Sequence, residues 1–392
     1  MSNAVLVLNA GSSSLKFGIF DTEDGQPRRA HGMIERIGEA PHFQGFDAEG
    51  RPVTERRWET GAAMTHEDLL GPLLDWADDH LDSDHLVAVG HRIVHGGQNF
   101  AVPVRLDEAV IAALAALTPL APLHQPHNLA AVRAIARLRP NLPQIGCFDT
   151  GFHRTMTDVA TRLPLPARYH EAGVRRYGFH GISYEYIAHA LAAADPARAA
   201  GKVIAAHLGN GASACAMLAG RSVESSMGFT ALDGLMMGTR PGTLDPGVVL
   251  YMVEQEQLDA KAISRCLYSE SGLLGVSGEA SDMRTLLVSD RPESRLAVDL
   301  FCHRAAREIA ALTVALGGLE TLVFTAGIGE HAAPVRRMIC ARLAHLGIVL
   351  DDASNERHAP VISASASTIE VRVIPTDEEA MIARHTAALL SG

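Results

Sequence analysis

The sequence predicts an α/β protein of two domains built on a related plan. Three observations carry this. A strand–turn–strand unit opens the chain at Val5, and a unit of the same shape returns at Val203. Around both, segments of helical spacing alternate with short apolar runs. The chain has 392 residues, which agrees with two to three domains of about 150 residues each.

Val5 to Leu8 reads as a buried strand and Asn9 to Ser14 as a polar turn. Leu15, Phe17 and Ile19 then alternate with Lys16, Gly18 and Phe20, a second strand of period two. Glu67 to His80 places Leu69, Leu70, Leu73, Leu74 and Trp76 on one helical stripe. Leu106 to Leu117 and Asn128 to Leu138 read as further helices, the latter stopped by Pro140. Leu86 to Gly90 and Gln144 to Phe148 read as short buried strands. In the second half, Val203 to Ala206 is a strand, Leu208 to Gly211 its turn, and Ala212 to Leu218 its return. Helices follow at Asp245 to Glu254, with Asp245 as cap, and at Ser294 to Leu316. Thr321 to Phe324 is a strand running into a glycine turn at Thr325 to Glu330. Glu370 to Ile374 is the last strand. A short helix follows from Thr376, with Thr376 read as the cap and Glu379 reaching back to it.

Composition narrows the function. The chain is 47% hydrophobic, 20% charged and 5% aromatic, as an ordinary globular protein is. Its formal charge of −11 excludes a general nucleic-acid or membrane-surface binder, but not a local cationic pocket. Five scattered cysteines without a C-x-x-C pair point to a reducing compartment and no structural zinc. No secretory signal is expected, because the run Val5 to Leu8 is short and has no basic residue before it. The longest uncharged stretch, Ala109 to Val132, carries Pro119, Pro122, His124, Pro126 and His127, so no membrane span is expected.

Several turns carry chemistry. Asn9-Ala-Gly-Ser-Ser-Ser-Leu-Lys16 presents hydroxyls, backbone N–H groups and a lysine after a buried strand, which suits an anion. A plain hairpin turn uses the same residues, and the Walker spacing is absent. Arg92 stands at the end of a strand beside Gly96-Gly97 and is suited to bidentate capture of carboxylate or phosphate. His91 and His95 are four apart but have no third ligand nearby for a metal. Asp149 follows a strand directly, and His180 and Arg240 are flanked by glycines in exposed loops. Each of these also reads as an ordinary loop residue taken alone.

Taken together, N-A-G-S-S-S-L-K, H-R-I-V-H-G-G, F-D-T-G-F-H, Y-G-F-H-G, H-L-G-N-G, S-M-G-F-T-A-L-D-G-L-M-M-G-T-R, G-V-S-G-E-A-S-D-M-R, T-A-G-I-G-E and P-T-D-E-E resemble the acetate kinase family, in order, from residue 9 to 379. The resemblance implies a duplicated ribonuclease H-like (actin-like ATPase) fold with an active-site cleft between two domains. It implies domains at 1–149 with 376–392 and at 150–375, the second binding nucleotide. It implies reversible, Mg²⁺-dependent phosphoryl transfer from ATP to acetate, giving ADP and acetyl phosphate, with Mn²⁺ as a possible substitute ion. A cytoplasmic homodimer is implied as well.

By the same resemblance, Arg92 and Arg240 hold acetate and the phosphoryl group and His180 stabilises the transition state. Asp149 is the active-site carboxylate. A carboxylate acceptor is already ionised at neutral pH and needs no base, so Asp149 reads as orienting an arginine or a metal-bound water. Asn9 and Glu378 match the magnesium positions. Ser14 and Lys16 match phosphate contacts, and His207, Leu208, Gly209, Asn210 and Gly211 the phosphate loop. Asp282, Met283 and Arg284 match ribose and adenine contacts, and Gly327, Ile328, Gly329, Glu330 and His331 a second adenosine loop. Val94, Leu123, Phe179 and Ala231 match the acyl pocket.

The chain departs from the family at His331, where Asn is usual, and at Ala231, where Pro is frequent. It also has Gln98 and Pro241-Gly-Thr243 where acids often stand. Competing functions are a propionate or butyrate kinase, a sugar kinase, and an actin- or chaperone-like ATP-driven binding protein. A sugar kinase needs an aspartate as base on a hydroxyl. A binding protein needs no cationic clamp of Arg92, His180 and Arg240.

Overall fold

Strand β1 (Asn3–Ala10) is an almost unbroken buried run, because helices cover both faces of its sheet. The computed structural model describes residues 3–11, 14–23, 25–59, 64–81, 85–122 and 124–391. They fall into two units, Met1–Gly151 with Asp377–Gly392, and Phe152–Thr376.

In the first unit, β2 (Ser14–Asp21), β3 (Arg28–Glu35), β4 (His42–Asp47), β5 (Pro52–Arg57), β6 (His85–Ile93), β7 (Val104–Arg105) and β8 (Gln144–Phe148) join β1 in one sheet, ordered β5-β4-β3-β2-β1-β6-β8-β7. The second unit holds β9 (Lys202–Leu208), β10 (Ala212–Leu218), β11 (Arg221–Ser225), β12 (Thr321–Thr325) and β13 (Glu370–Val373), ordered β11-β10-β9-β12-β13.

The second sheet repeats the core of the first strand for strand. β3-β2-β1-β6-β8 corresponds to β11-β10-β9-β12-β13 in order and in direction. In each, the first three strands form an antiparallel meander. The next two run parallel to the central strand and to each other. This is the duplicated plan that the two hairpins signal.

Alternation along the strands decides which side chains reach the functional face. Leu6, Leu8 and Ala10 of β1, and Leu15, Phe17 and Ile19 of β2, belong to one apolar core with the helices His66–Leu81 and Gln125–Leu138. Asn9 and Lys16 therefore point to the opposite face, where they are direct cross-strand partners. The C-terminal helix Glu378–Ser391 covers part of that face, burying Met381, Ile382, Ala383, Thr386 and Ala387. It lies against β6 at Gly90, where an added Cβ would stand 2.4 Å from Thr386 Oγ1 and 2.7 Å from Ile382 Cγ2. Glycine is what lets the helix approach. We expect Gly90→Ala to cost about 1–3 kcal/mol through overpacking. Gly71→Ala, on a helix with open space at the site, should instead be stabilising by up to about 1 kcal/mol. Thermal unfolding of the two variants checks the opposite signs.

Two expectations are corrected, and one unassigned region is filled. Strands β3 to β5 occupy a region that the sequence leaves unassigned. β5 is almost wholly exposed, so it carries no apolar alternation to be read. The segment after β12 is a short helix, Ala326–His331, entered through Ala326 at φ +62°, rather than a glycine turn. The cap of the C-terminal helix is Asp377, whose Oδ1 accepts from Ala380 N–H at 2.9 Å, and not Thr376. Thr376 instead gives its N–H to Glu330 Oε1 at 3.0 Å, and its hydroxyl lies 2.8 Å from Ser183 Oγ.

Candidate active site

The first unit gathers its functional groups at the carboxyl ends of its parallel strands, where ligands bind in open α/β sheets. Asn9 is near the end of β1, Arg92 near the end of β6, and Asp149 directly after β8. Arg92 is the centre of the group. Its Nε lies 3.1 and 3.0 Å from the two Asp149 oxygens, and its Nη2 lies 2.5 Å from Oδ2. Its Nη1 donates to Asn9 Oδ1 at 3.2 Å, and Glu378 is 3.6 Å from Nε. Asp149 is 1% exposed and is wholly taken up with Arg92, so it orients the arginine. Burial raises the Asp149 pKa, and the guanidinium pulls it back. Burial opposes the charge on Arg92, but Asp149 and Glu378 outweigh it and hold the guanidinium above its ordinary pKa.

Two residues that the sequence reading missed hold these loops. Asn128 donates to Ala10 O at 2.8 Å and accepts from Val94 N–H at 3.0 Å, tying the end of β1 to the end of β6. His66 donates through Nε2 to Gly11 O at 2.7 Å. A buried polar residue on the apolar face of a helix is the signal that was present for Asn128. His91 and His95 make no metal pair. His91 bonds Gln144 Oε1 at 2.8 Å, His95 Nδ1 accepts from Gly97 N–H at 2.8 Å, and burial pushes both imidazoles down to about 4. Among the described residues no group of three or more His, Cys, Asp or Glu side chains is arranged to hold a metal. The hard-oxygen pair Asn9 and Glu378, both beside Arg92, still fits a cation that keeps most of its shell as water and phosphate oxygen.

In the second unit, the turn after β9 is closed by Gly209 N–H to Gly211 O at 3.0 Å. His180 and Arg240 converge there: a Cβ on Gly211 would stand 2.9 Å from Arg240 Nη2 and 3.2 Å from His180 Nε2. The Arg240 loop is bound to the same turn by Gly238 N–H to Asn210 O at 2.9 Å. His180 is not in an open loop as expected. It is the residue preceding the helix Gly181–Ala194, held at φ 57°, with its ring stacked on His207 at 4.2 Å between centroids. His153 supports it from below, donating through Nε2 to Phe179 O at 2.9 Å while Nδ1 accepts from the Ser222 hydroxyl at 2.9 Å. Among the described residues Arg240 has no carboxylate within ion-pair distance. It donates through Nη1 to Ala231 O at 2.7 Å, and burial pushes its pKa down to about 10. A half-buried guanidinium without a counter-charge is a seat for an anion.

Beside this turn lies a cavity of about 670 Å³. Gly209, Asn210, Asp282, Met283, Arg284, Gly327, Ile328 and His331 line it, with Ser281, Leu287, Ala332 and Pro334, which the sequence reading missed. Glu330 does not. Its carboxylate is turned to Thr325 and Thr376. Leu208 is buried in β9, and His207, Gly211 and Gly329 also lie off the cavity wall. Asp282 caps the helix Met283–Val288, accepting from Thr285 N–H at 3.2 Å. The helix Ala326–His331 is secured by Arg336, which is fully buried and donates to Gly329 O and Glu330 O at 2.8 Å each. Nothing in the local sequence distinguishes Arg336 from the solvated Arg337 beside it.

Of the acyl-pocket residues, Val94 is buried in the first unit, and Phe179 and Ala231 belong to the second. Leu123 lies outside the described residues. Lys16 is exposed on β2, and Ser14 opens that strand, its carbonyl accepting from Gly11 N–H at 2.8 Å. The five cysteines are free thiols. Among the described residues no helix is long and apolar enough to cross a membrane.

Residues 4–384 match the family model described as the acetokinase family. The chain is 51% identical to an acetate kinase of Rhodopseudomonas palustris, over 100% of both chains. Its structure is similar to that of a propionate kinase from Francisella tularensis, with a TM-score of 0.90, 35% identity and 98% of each chain covered. It is likewise similar to Porphyromonas gingivalis acetate kinase, with a TM-score of 0.87, 37% identity, and 99% and 100% covered. The duplicated actin-like scaffold and these relatives define an ATP-dependent phosphotransferase whose acceptor is a carboxyl group. The cationic groups on its loops suit that acceptor, which brings its own negative charge. The chain belongs to the acetokinase family and is a kinase of short-chain carboxylates, acetate foremost.

Proposed function

We propose that the residues described above divide the transfer of the ATP γ-phosphoryl group to acetate as follows. Arg240 and His180, converging on Gly211 beside the nucleotide cavity, carry the reading. Arg240 supplies positive charge and His180 a hydrogen bond to the phosphoryl oxygens as charge develops, which is most of what phosphoryl transfer asks of a protein. Arg92, held by Asp149, aligns the acetate carboxylate. Ser14, Lys16 and the 207–211 turn contact phosphates, and residues 282–284 and 327–331 flank the nucleoside, with Glu330 acting through its hold on Thr325 and Thr376. Asn9 and Glu378 would hold Mg²⁺, or Mn²⁺ in its place, which would supply positive charge to offset that of the phosphates. We further propose a cytoplasmic homodimer. The helix Pro246–Glu254 buries none of its residues and leaves Leu250, Tyr251 and Val253 exposed, an apolar face suited to a second copy.

The acyl pocket is proposed to accept propionate as well as acetate. Ala231 stands where the family often has proline, and the similar Francisella structure is that of a propionate kinase. One methylene is worth only about 1–3 kcal/mol of discrimination. Measuring kcat/KM for acetate, propionate and butyrate tests this. Acetate and propionate are expected within about 30-fold of each other. A preference for acetate of about a hundredfold or more would sink the proposal.

A further inference from the structure

The side chain of His180 is not held by the groups it acts on. Its Nδ1 lies 2.8 Å from Ser213 Oγ on β10. Ser213 Oγ in turn lies 2.5 Å from the hydroxyl of Tyr184, one turn into the helix that His180 precedes. Both supporting residues are fully buried. The Tyr184 hydroxyl is buried, so its proton needs an acceptor within the fold. Among the described residues Ser213 Oγ is the acceptor in reach. A serine oxygen that receives the tyrosine proton has its own proton left to give, and Nδ1 of His180 is where it points. The reverse polarity would send the proton from Nδ1 to Ser213 and from Ser213 to Tyr184. The buried tyrosine proton would then have no acceptor, which proteins avoid.

We infer that Tyr184 and Ser213 are positioning residues that fix His180 as the tautomer carrying its proton on Nε2, the nitrogen that faces Gly211 and Arg240. This rests on the proposed role of His180 and adds how the fold secures it. The donor aimed at the transferring group is then pre-formed in the neutral imidazole, and the ring need not be protonated to supply one. A serine and a tyrosine do here what a carboxylate does for many functional histidines. They set the tautomer without adding a negative charge beside a phosphate site.

Two-bond ¹⁵N–¹H correlation spectra of the labelled full-length protein read the tautomer directly. The His180 signals are assigned by their loss in His180→Gln. Nε2 is expected protonated and Nδ1 bare. Tyr184→Phe removes one oxygen, keeps the ring's packing and frees the serine hydroxyl to turn, so both tautomers should appear. Ser213→Ala should lower kcat about 10- to 100-fold with KM for ATP and acetate little changed, and Ser213→Thr should recover most of it. A merely structural role would lower Tm and leave the spectrum unchanged. An Nδ1-protonated ring in the wild-type protein overturns the inference. So does a Tyr184→Phe protein whose His180 spectrum is that of wild type, which decides the matter if Ser213→Ala does not fold. Near wild-type turnover by His180→Gln would instead overturn the role proposed for His180, while the wild-type spectrum still decides the tautomer.

Discussion

Arg240→Ala should lower kcat by about 10³-fold, equivalent to about 4 kcal/mol, and leave Tm unchanged or higher. The two halves of this expectation come from one observation. Arg240 is half-buried beside the Gly211 turn; among the described residues its guanidinium has one hydrogen bond, to Ala231 O, and no carboxylate partner. Burial depresses its pKa, so the folded state bears the cost of keeping it charged. Removing it relieves that cost and takes away the charge proposed to receive the phosphoryl group. Function held at the expense of stability is what a preorganised electrostatic site leads one to expect. Steady-state kinetics and calorimetry on the same preparation test it. A large fall in Tm, or turnover near wild type, would contradict the assignment.

Arg92→Ala should also abolish most turnover, but with the opposite effect on stability. It leaves Asp149 buried with no counter-charge, and breaking such a pair from one side costs about 3–5 kcal/mol. The pH dependence is a further signature. Without Arg92, burial and Glu378 act unopposed on Asp149, so its folded pKa rises further above the unfolded value of about 3.9. A carboxyl whose folded pKa is raised favours the folded state while protonated. That contribution is present at low pH and is lost as pH rises through the folded pKa. The deficit of Arg92→Ala relative to wild type should therefore shrink as the solution is acidified from neutrality. Replacing both partners, Arg92→Leu with Asp149→Leu, should recover stability without activity. A deficit constant across pH would mean that Asp149 is not the group left stranded.

The fold was legible where burial imposes a period. β1, β9 and β12 are runs of apolar residues, and the paired hairpins announced the duplication before any contact was known. β5 was not legible, because an exposed edge strand answers to no core. Among the proposed functional residues, Arg92 and Asp149 of the first unit and His180 and Arg240 of the second stood out by residue type at strand ends and between glycines. Their geometry did not. That Asp149 serves Arg92, that Glu330 turns to Thr376, and that the Thr376 hydroxyl meets Ser183 instead of capping the helix all depend on partners 57, 46 and 193 residues away. Arg336, Asn128, Ser213 and Tyr184 escaped for the same reason. Each works through a backbone carbonyl or a hydroxyl brought near by the tertiary fold, and no spacing in the chain records it.

The central claim is that a carboxylate, not a hydroxyl or water, receives the phosphoryl group. Trapping the product with hydroxylamine tests it most directly. With ATP, Mg²⁺ and acetate, the protein should yield acetyl hydroxamate in step with ADP, and neither should form at a comparable rate when acetate is omitted. ADP release without hydroxamate, or phosphorylation of a sugar hydroxyl in its place, would contradict the account.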